Sequence, residues 1–212
     1  QGLRFLKGQR GILHLILFLA AINFTALVYN AAFPAMLLSR QGGGEAALGA
    51  VNTATGAALL LGSAAASALP PPKSRVRAVC NTLLLAMSTE NFFLAFGRSV
   101  PVWCLGAVLG WAAIPLMNAN LDVLMRTHIP IAMQGRVFAA RNTLQFFTIP
   151  LGYFAGGLLV DKVFEPLMAR RPAGSLLCVL FGAGKGSGAA LLFFLLGLLG
   201  AATCLVFRRD RQ

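Results

Sequence analysis

Residues 11–38, GILHLILFLAAINFTALVYNAAFPAMLL, contain no Asp, Glu, Lys or Arg. A helix of about 20 apolar residues crosses the hydrocarbon of a bilayer, and this run exceeds that length. It is too long for the apolar region of a signal peptide, and no small-residue cleavage site follows it. The rest of the chain agrees: 58% of the residues are hydrophobic and only 11% are charged, where an ordinary soluble domain is about a quarter charged. So few charges cannot cover a water-soluble surface. The sequence predicts an integral membrane protein.

Hydropathy divides the 212 residues into six candidate spans, at about 11–37, 46–69, 78–97, 101–124, 138–160 and 188–207. The breaks carry loop chemistry. SRQGGGE (39–45) reads as a glycine turn, PPPKSRVR (70–77) combines helix-stopping prolines with three cations, and GRSVP (97–101) is tight. MRTHIPIAMQGR (125–136) holds Pro130 and Gly135, and the last connection, 161–187, is long and mixed. The expected fold is an all-α, polytopic membrane protein of six transmembrane helices.

An even number of spans returns both termini to one side. That side collects Arg4, Lys7, Arg10, Lys73, Arg75, Arg77, Arg126, Arg136, Arg141, Arg208, Arg209 and Arg211, against Arg40, Arg98, Lys162, Arg170, Arg171 and Lys185 on the other. The positive-inside rule therefore puts both termini in the cytoplasm. The net charge of +12 is thus explained by topology. A nucleic-acid partner would need a basic patch on a folded domain, and none is legible. The cysteines Cys80, Cys104, Cys178 and Cys204 stand far apart, with no C-x-x-C pair, so neither a disulfide framework nor a metal site is expected. No cofactor is called for.

Some spans are built for close packing. Gly49/Thr53 and Ala58/Gly62/Ala66 in the second, and Gly152/Gly156 in the fifth, place small residues four apart, which lets helices approach in lipid. FGAGKGSG (181–188) resembles a phosphate loop only superficially: Val179 stands where the Walker pattern needs Gly, and Gly186 follows Lys185. It reads as a turn before the sixth span. His14 and His128 fall near membrane boundaries without a partner carboxylate at helical spacing. No catalytic motif is present, and an enzyme is not expected.

Polar residues inside the spans carry the functional signal. Asn23 and Asn30 share a face of the first span, one turn before Pro34. Asn118, Asn120 and Asp122 follow Pro115 in the fourth. In the fifth, Arg141, Gln145 and Thr148 fall on the 3.6 period with Gly152 and Gly156. These are either interhelical hydrogen bonds or the lining of a cavity. Asp122 and Arg126 lie one turn apart at a membrane face and read as an ion pair or gate latch. Arg136, where Gly135 leads into the fifth helix, is a second candidate partner for Asp122. Glu90 lies ~4 Å beyond the centre of the third span at 1.5 Å per residue, with Leu83, Ala86, Met87 and Leu94 around it on the helix. Two roles fit it: a neutral acid donating one hydrogen bond to a neighbouring helix, or a proton site.

HIPIAMQGRVFAARNTLQFFTIPLGYFAGGLLVDKVFEP (128–166) resembles the loop and fifth helix of the C-terminal half of major facilitator superfamily transporters, in the bacterial macrolide-efflux and enterobactin-exporter branch. Pro130, Gly135, Arg136 and Val137 match its Pro-containing loop and Gly-Arg-Val. PKSRVRAVCN, NANLDVLMR and FGAGKGSGAALLFFLLGL are similar to it as well. The resemblance covers nearly the whole chain. It implies half of a twelve-helix fold whose partner is a missing N-terminal six-helix half, a reading that the absence of an initiator Met suits. It implies a bacterial plasma-membrane exporter of small amphipathic molecules, working by alternating access as a proton antiporter. It puts the first and fourth helices at the cavity, the second and fifth at the interface between halves, and the third and sixth outside. Asn23, Asn30, Asn118, Gln145 and Thr148 would then offer hydrogen bonds to cargo, with Pro115 and Pro150 bending helices beside them. The superfamily's charged loop signature is missing from PPPKSRVR. A six-helix oligomeric channel and a non-transporting membrane interaction protein are the alternatives.

Overall fold

The computed structural model describes residues 10–172 and 174–209; Arg4, Lys7 and Arg211 of the charge count lie outside them. Six helices are long and apolar enough to cross a membrane, and no strand occurs among the described residues. The protein is an all-α polytopic membrane protein. The first span is α1 (Arg10–Ser39), the second α2 (Glu45–Ala68) and the third α3 (Arg75–Phe96). α4 (Val100–Trp111) and α5 (Ile114–His128) together make the fourth. α6 (Ile131–Leu158) runs through a π-helical stretch, Leu159–Phe164, into α7 (Glu165–Ala169), and this is the fifth. The short α8 (Leu176–Phe181) precedes α9 (Ser187–Arg209), the sixth.

The helix ends follow local chemistry. α2 stops at Leu69, where Pro70, Pro71 and Pro72 supply no amide to continue the ladder. Ser74 caps α3 by accepting from the Arg77 amide. The expected fourth helix is in fact two. Pro115 cannot donate to the carbonyl one turn back and crowds it, so the chain breaks at Ala112–Ala113 and restarts with Pro115 in its first turn. α6, by contrast, continues through Pro150. The expected loop at 125–136 shrinks to Ile129–Pro130, because α5 extends to His128 and α6 begins at Ile131. Much of 161–187 is likewise helical.

The SRQGGGE turn depends on glycine at two points. A Cβ on Gly43 would stand 2.0 Å from the Leu37 carbonyl oxygen, and Gly44 has φ 120. Beside the turn, Arg40 is buried and spends its guanidinium on carbonyls: Leu94 (2.7 Å), Ala95 (3.2 Å) and Phe181 (3.1 Å). It thereby closes the C-terminal ends of α3 and α8, where orphan carbonyls and the helix dipole favour a cation. Burial, then repulsion from Arg98, lowers its pKa to about 10, which leaves it charged at neutral pH. The FGAGKGSG turn is filled from within. Glu165 Oε1 accepts from the amides of Gly186 (3.0 Å) and Ala189 (3.2 Å), so the N-terminus of α9 already holds a carboxylate.

α3 packs along α9 and along both α4 and α5, α1 packs along α6 and α9, and α2 leans on α4. Small residues set these distances, as their spacing predicts. Cβ atoms on Gly152 and Gly156 would meet the Cβ atoms of Leu27 and Ala31 at 2.4 and 2.6 Å. Gly62 lies against the Ala112 carbonyl, at the break in the fourth span. Gly49, however, faces open space and Thr53 is exposed, so only the Ala58/Gly62 side of the second span packs inward. Two apolar clusters result. One surrounds Ile16, Leu83, Leu121 and Met125 toward the end where α1 begins and α9 ends; the other surrounds Met36, Leu37, Trp103 and Phe193 toward the far end.

Candidate functional site

Between these clusters lies a cavity of about 230 Å³, walled by α1, α3, the α4–α5 break, α6 and α9. Its polar lining includes Asn23, Asn30, Glu90, Asn118, Arg141 and Gln145, with Thr25, Asn91 and the polar tips of Tyr29 and Trp111. Three asparagines and a glutamine expected on separate stripes are therefore brought to one volume. The Asn23 amide donates to Thr148 Oγ1 at 3.0 Å, and that hydroxyl donates in turn to the Gln145 carbonyl at 2.7 Å. Thr148 thus acts as a tie between α1 and α6 and does not line the cavity. Asn120 points elsewhere: it donates to the Leu116 carbonyl and accepts from Arg75.

Glu90 is buried at one end of the cavity. Oε1 accepts from the Tyr29 hydroxyl and from Trp111 Nε1, the latter at 2.5 Å. The sequence alone suggested apolar neighbours and a hydrogen bond donated by the acid. In the structure Glu90 Oε1 is an acceptor, held from two other spans. It also lines the cavity, where the family resemblance placed its helix outside. The break after Trp111 delivers the indole, and Gly110, whose Cβ would stand 2.8 Å from that of Glu90, lets α4 come close enough. Neither Tyr29 nor Trp111 stands out by spacing in the sequence. Their signal is that a phenol or indole inside a span has a polar tip that must find a partner.

The expected latch is also corrected. Asp122 Oδ1 lies 3.7 Å from an Arg141 guanidinium nitrogen, and this is the ion pair found among the described residues. Arg126 and Arg136 are both exposed, and Arg136 reaches the Met133 sulfur at 3.8 Å. Helix geometry explains the choice. Counted from Pro130 at 1.5 Å per residue, Asp122 stands ~12 Å and the Arg141 backbone ~16 Å into the bundle. Helical side chains lean toward the N-terminus, which brings the Arg141 head down to the level of Asp122 and takes Arg136 to the solvent.

The two charged ends are remote from one another. Asn23 with Thr148, and Leu27 with Gly152, fix the register of α1 against α6. Tyr29, which meets Glu90, stands six residues beyond Asn23, while Arg141 stands seven before Thr148. At 1.5 Å per residue the separation is about 20 Å, too far for either charge to neutralise the other. The arrangement can hold a proton on a carboxyl group at one end, present a guanidinium at the other, and offer amide hydrogen bonds between them. No group of His, Cys, Asp and Glu is assembled for a metal among the described residues. Compared with protein-family models, with curated proteins and with solved structures, the chain matches none.

Proposed function

We propose that this chain is one half of a secondary active exporter of small amphipathic molecules, working by alternating access. The observation that carries the reading is the convergence of Asn30, Asn118, Gln145 and Glu90, from four different spans, on one cavity in a membrane bundle. Polar side chains in lipid that serve only packing are spent on a neighbouring helix. Among the described residues, the amides of Asn30, Asn118 and Gln145 have no such partner. At about 230 Å³ the cavity is smaller than the ~300 Å³ at which drug-sized sites begin. It suits a small ligand, or one face of a larger site completed by a second six-helix half.

The exposure of the spans supports such a partner. Over 18 apolar residues of each span, 22% of the second, 18% of the fifth and 28% of the fourth are buried in the bundle, against 56% of the first and 50% of the sixth. The second span exposes Asn52, Thr53, Ser63 and Ser67, an unusual face to present to lipid. In this reading Glu90 carries the coupling proton, the protein sits in a bacterial plasma membrane, and both termini are cytoplasmic.

The test is flux. Proteoliposomes holding the full natural chain should show gradient-driven movement of amphipathic solutes, and Asn30→Leu with Gln145→Leu should reduce it without loss of membrane expression. Residues 1–212 alone should show none. Robust coupled flux from residues 1–212 alone would favour a six-helix oligomeric channel, and normal flux in both leucine variants would reduce the amides to interhelical contacts.

A further inference from the structure

The two arginines inside the fold are used differently. Arg40 gives three hydrogen bonds to backbone carbonyls and is spent on structure. Arg141 is 16% exposed, yet among the described residues it makes no hydrogen bond. Its approach to Asp122, at 3.7 Å, is too long for one. Its Nε is buried with no partner. A guanidinium has five N–H donors in a rigid fork, and leaving them unmade in a membrane bundle is costly. The head lines the cavity together with Asn118 and Gln145, whose amides are unspent as well. Asp122, the nearest anion, is 53% exposed and sits on α5, which forms none of the principal helix pairs with α6.

We infer that Arg141 is the anion-recognising group of the cavity, taking the carboxylate or sulfonate of an amphipathic organic anion in place of Asp122. This deepens the exporter reading and rests on the cavity being a cargo site. The guanidinium fork grips two oxygens of such an anion side by side. Asn118 and Gln145 add hydrogen bonds, and the apolar body lies against Ile22, Leu83 and Leu121, which wall the same volume. Asp122 competes with the ligand for Arg141, so binding breaks the Asp122–Arg141 contact between α5 and α6.

The full natural chain in nanodiscs of zwitterionic lipid tests this by calorimetry, with 1-naphthoate as probe and 1-naphthylmethylammonium as its cationic counterpart. Naphthoate should bind, and the ammonium should bind roughly tenfold or more weakly; loss of a charge-assisted pair in Arg141→Gln should cost a similar factor. Arg141→Lys should fall between, since charge remains and the fork is lost. Asp122→Asn removes the competitor and should tighten naphthoate, the reverse of what a purely structural ion pair predicts. It also keeps the test open if Arg141→Gln fails to fold. Equal binding of the two probes, unchanged binding in both Arg141 variants, or no tightening in Asp122→Asn each overturns the assignment. So does an Arg141-dependent shift of tryptophan emission with phosphatidylglycerol content and no naphthoate binding, which makes the site a lipid headgroup site. Arg141-dependent binding in a protein that moves no solute would retain the anion site and remove the exporter reading; flux without such binding would do the opposite.

Discussion

Tyr29 and Glu90, 61 positions apart in the chain, share a buried hydrogen bond in which the phenol donates to the carboxyl oxygen. Trp111 donates to the same oxygen, so three spans meet at one acid. Removing the acceptor orphans two donors. Glu90→Leu is expected to destabilise the protein by about 1–3 kcal/mol for each, whereas Glu90→Gln keeps an acceptor and should unfold near the wild-type temperature. On the exporter reading proposed above, the same Gln variant should bind cargo but lose pH-driven export, because an amide carries no titratable proton. Thermal unfolding beside flux under a proton gradient reads both; full coupled export from Glu90→Gln would leave Glu90 a structural role only.

The partner of Asp122 can be read by double-mutant cycles on unfolding in detergent. With Asp122 half-exposed, its coupling to Arg141 should be modest, about 0.2–1 kcal/mol. Coupling to Arg136 should be near zero. An Arg136 cycle as large as the Arg141 cycle would restore the loop latch.

Gly152 and Gly156 should tolerate no larger residue. Leucine at either position drives into Leu27, Val28 or Ala31 of α1, and overpacking of this kind costs about 1–3 kcal/mol or more. Gly157, one residue on, meets nothing within 4 Å. There Gly157→Ala should be neutral or stabilise by up to about 1 kcal/mol through helix propensity. Equal losses at all three sites, in thermal unfolding of the purified variants, would show that the α1–α6 seam is not where the structure has it.

Membrane orientation is open to labelling. In a background without the four native cysteines, Gln41→Cys and Lys73→Cys both expose a thiol in a loop without disturbing a close contact. An impermeant maleimide applied to intact cells should modify position 41 and spare position 73. The reverse pattern would invert the chain and place its termini outside.

Much of the architecture was legible in residue types. Apolar runs of membrane length are readable because every backbone polar group in lipid must be satisfied inside its own helix, so each span is decided locally. The same holds for the proline stop at 70–72, the glycine turn at 42–44 and the small-residue seam at Gly152/Gly156. The stripe that puts Arg141, Gln145 and Thr148 on one face of the fifth span was legible too, since period alone decides it. Partnerships between spans were not legible, because they depend on register and on which helices are neighbours. Glu90 looked isolated on its own helix, and its donors come from α1 and from the end of α4. Asp122 had two cations close in sequence and pairs with a third, because side chains lean toward helix N-termini and Arg141 leans to its level. The break at Ala112–Ala113 was half visible in Pro115, but only the packed bundle shows that it delivers Trp111 to Glu90. Local sequence decides what can stand in a membrane; which polar groups meet there is decided by how the helices pack.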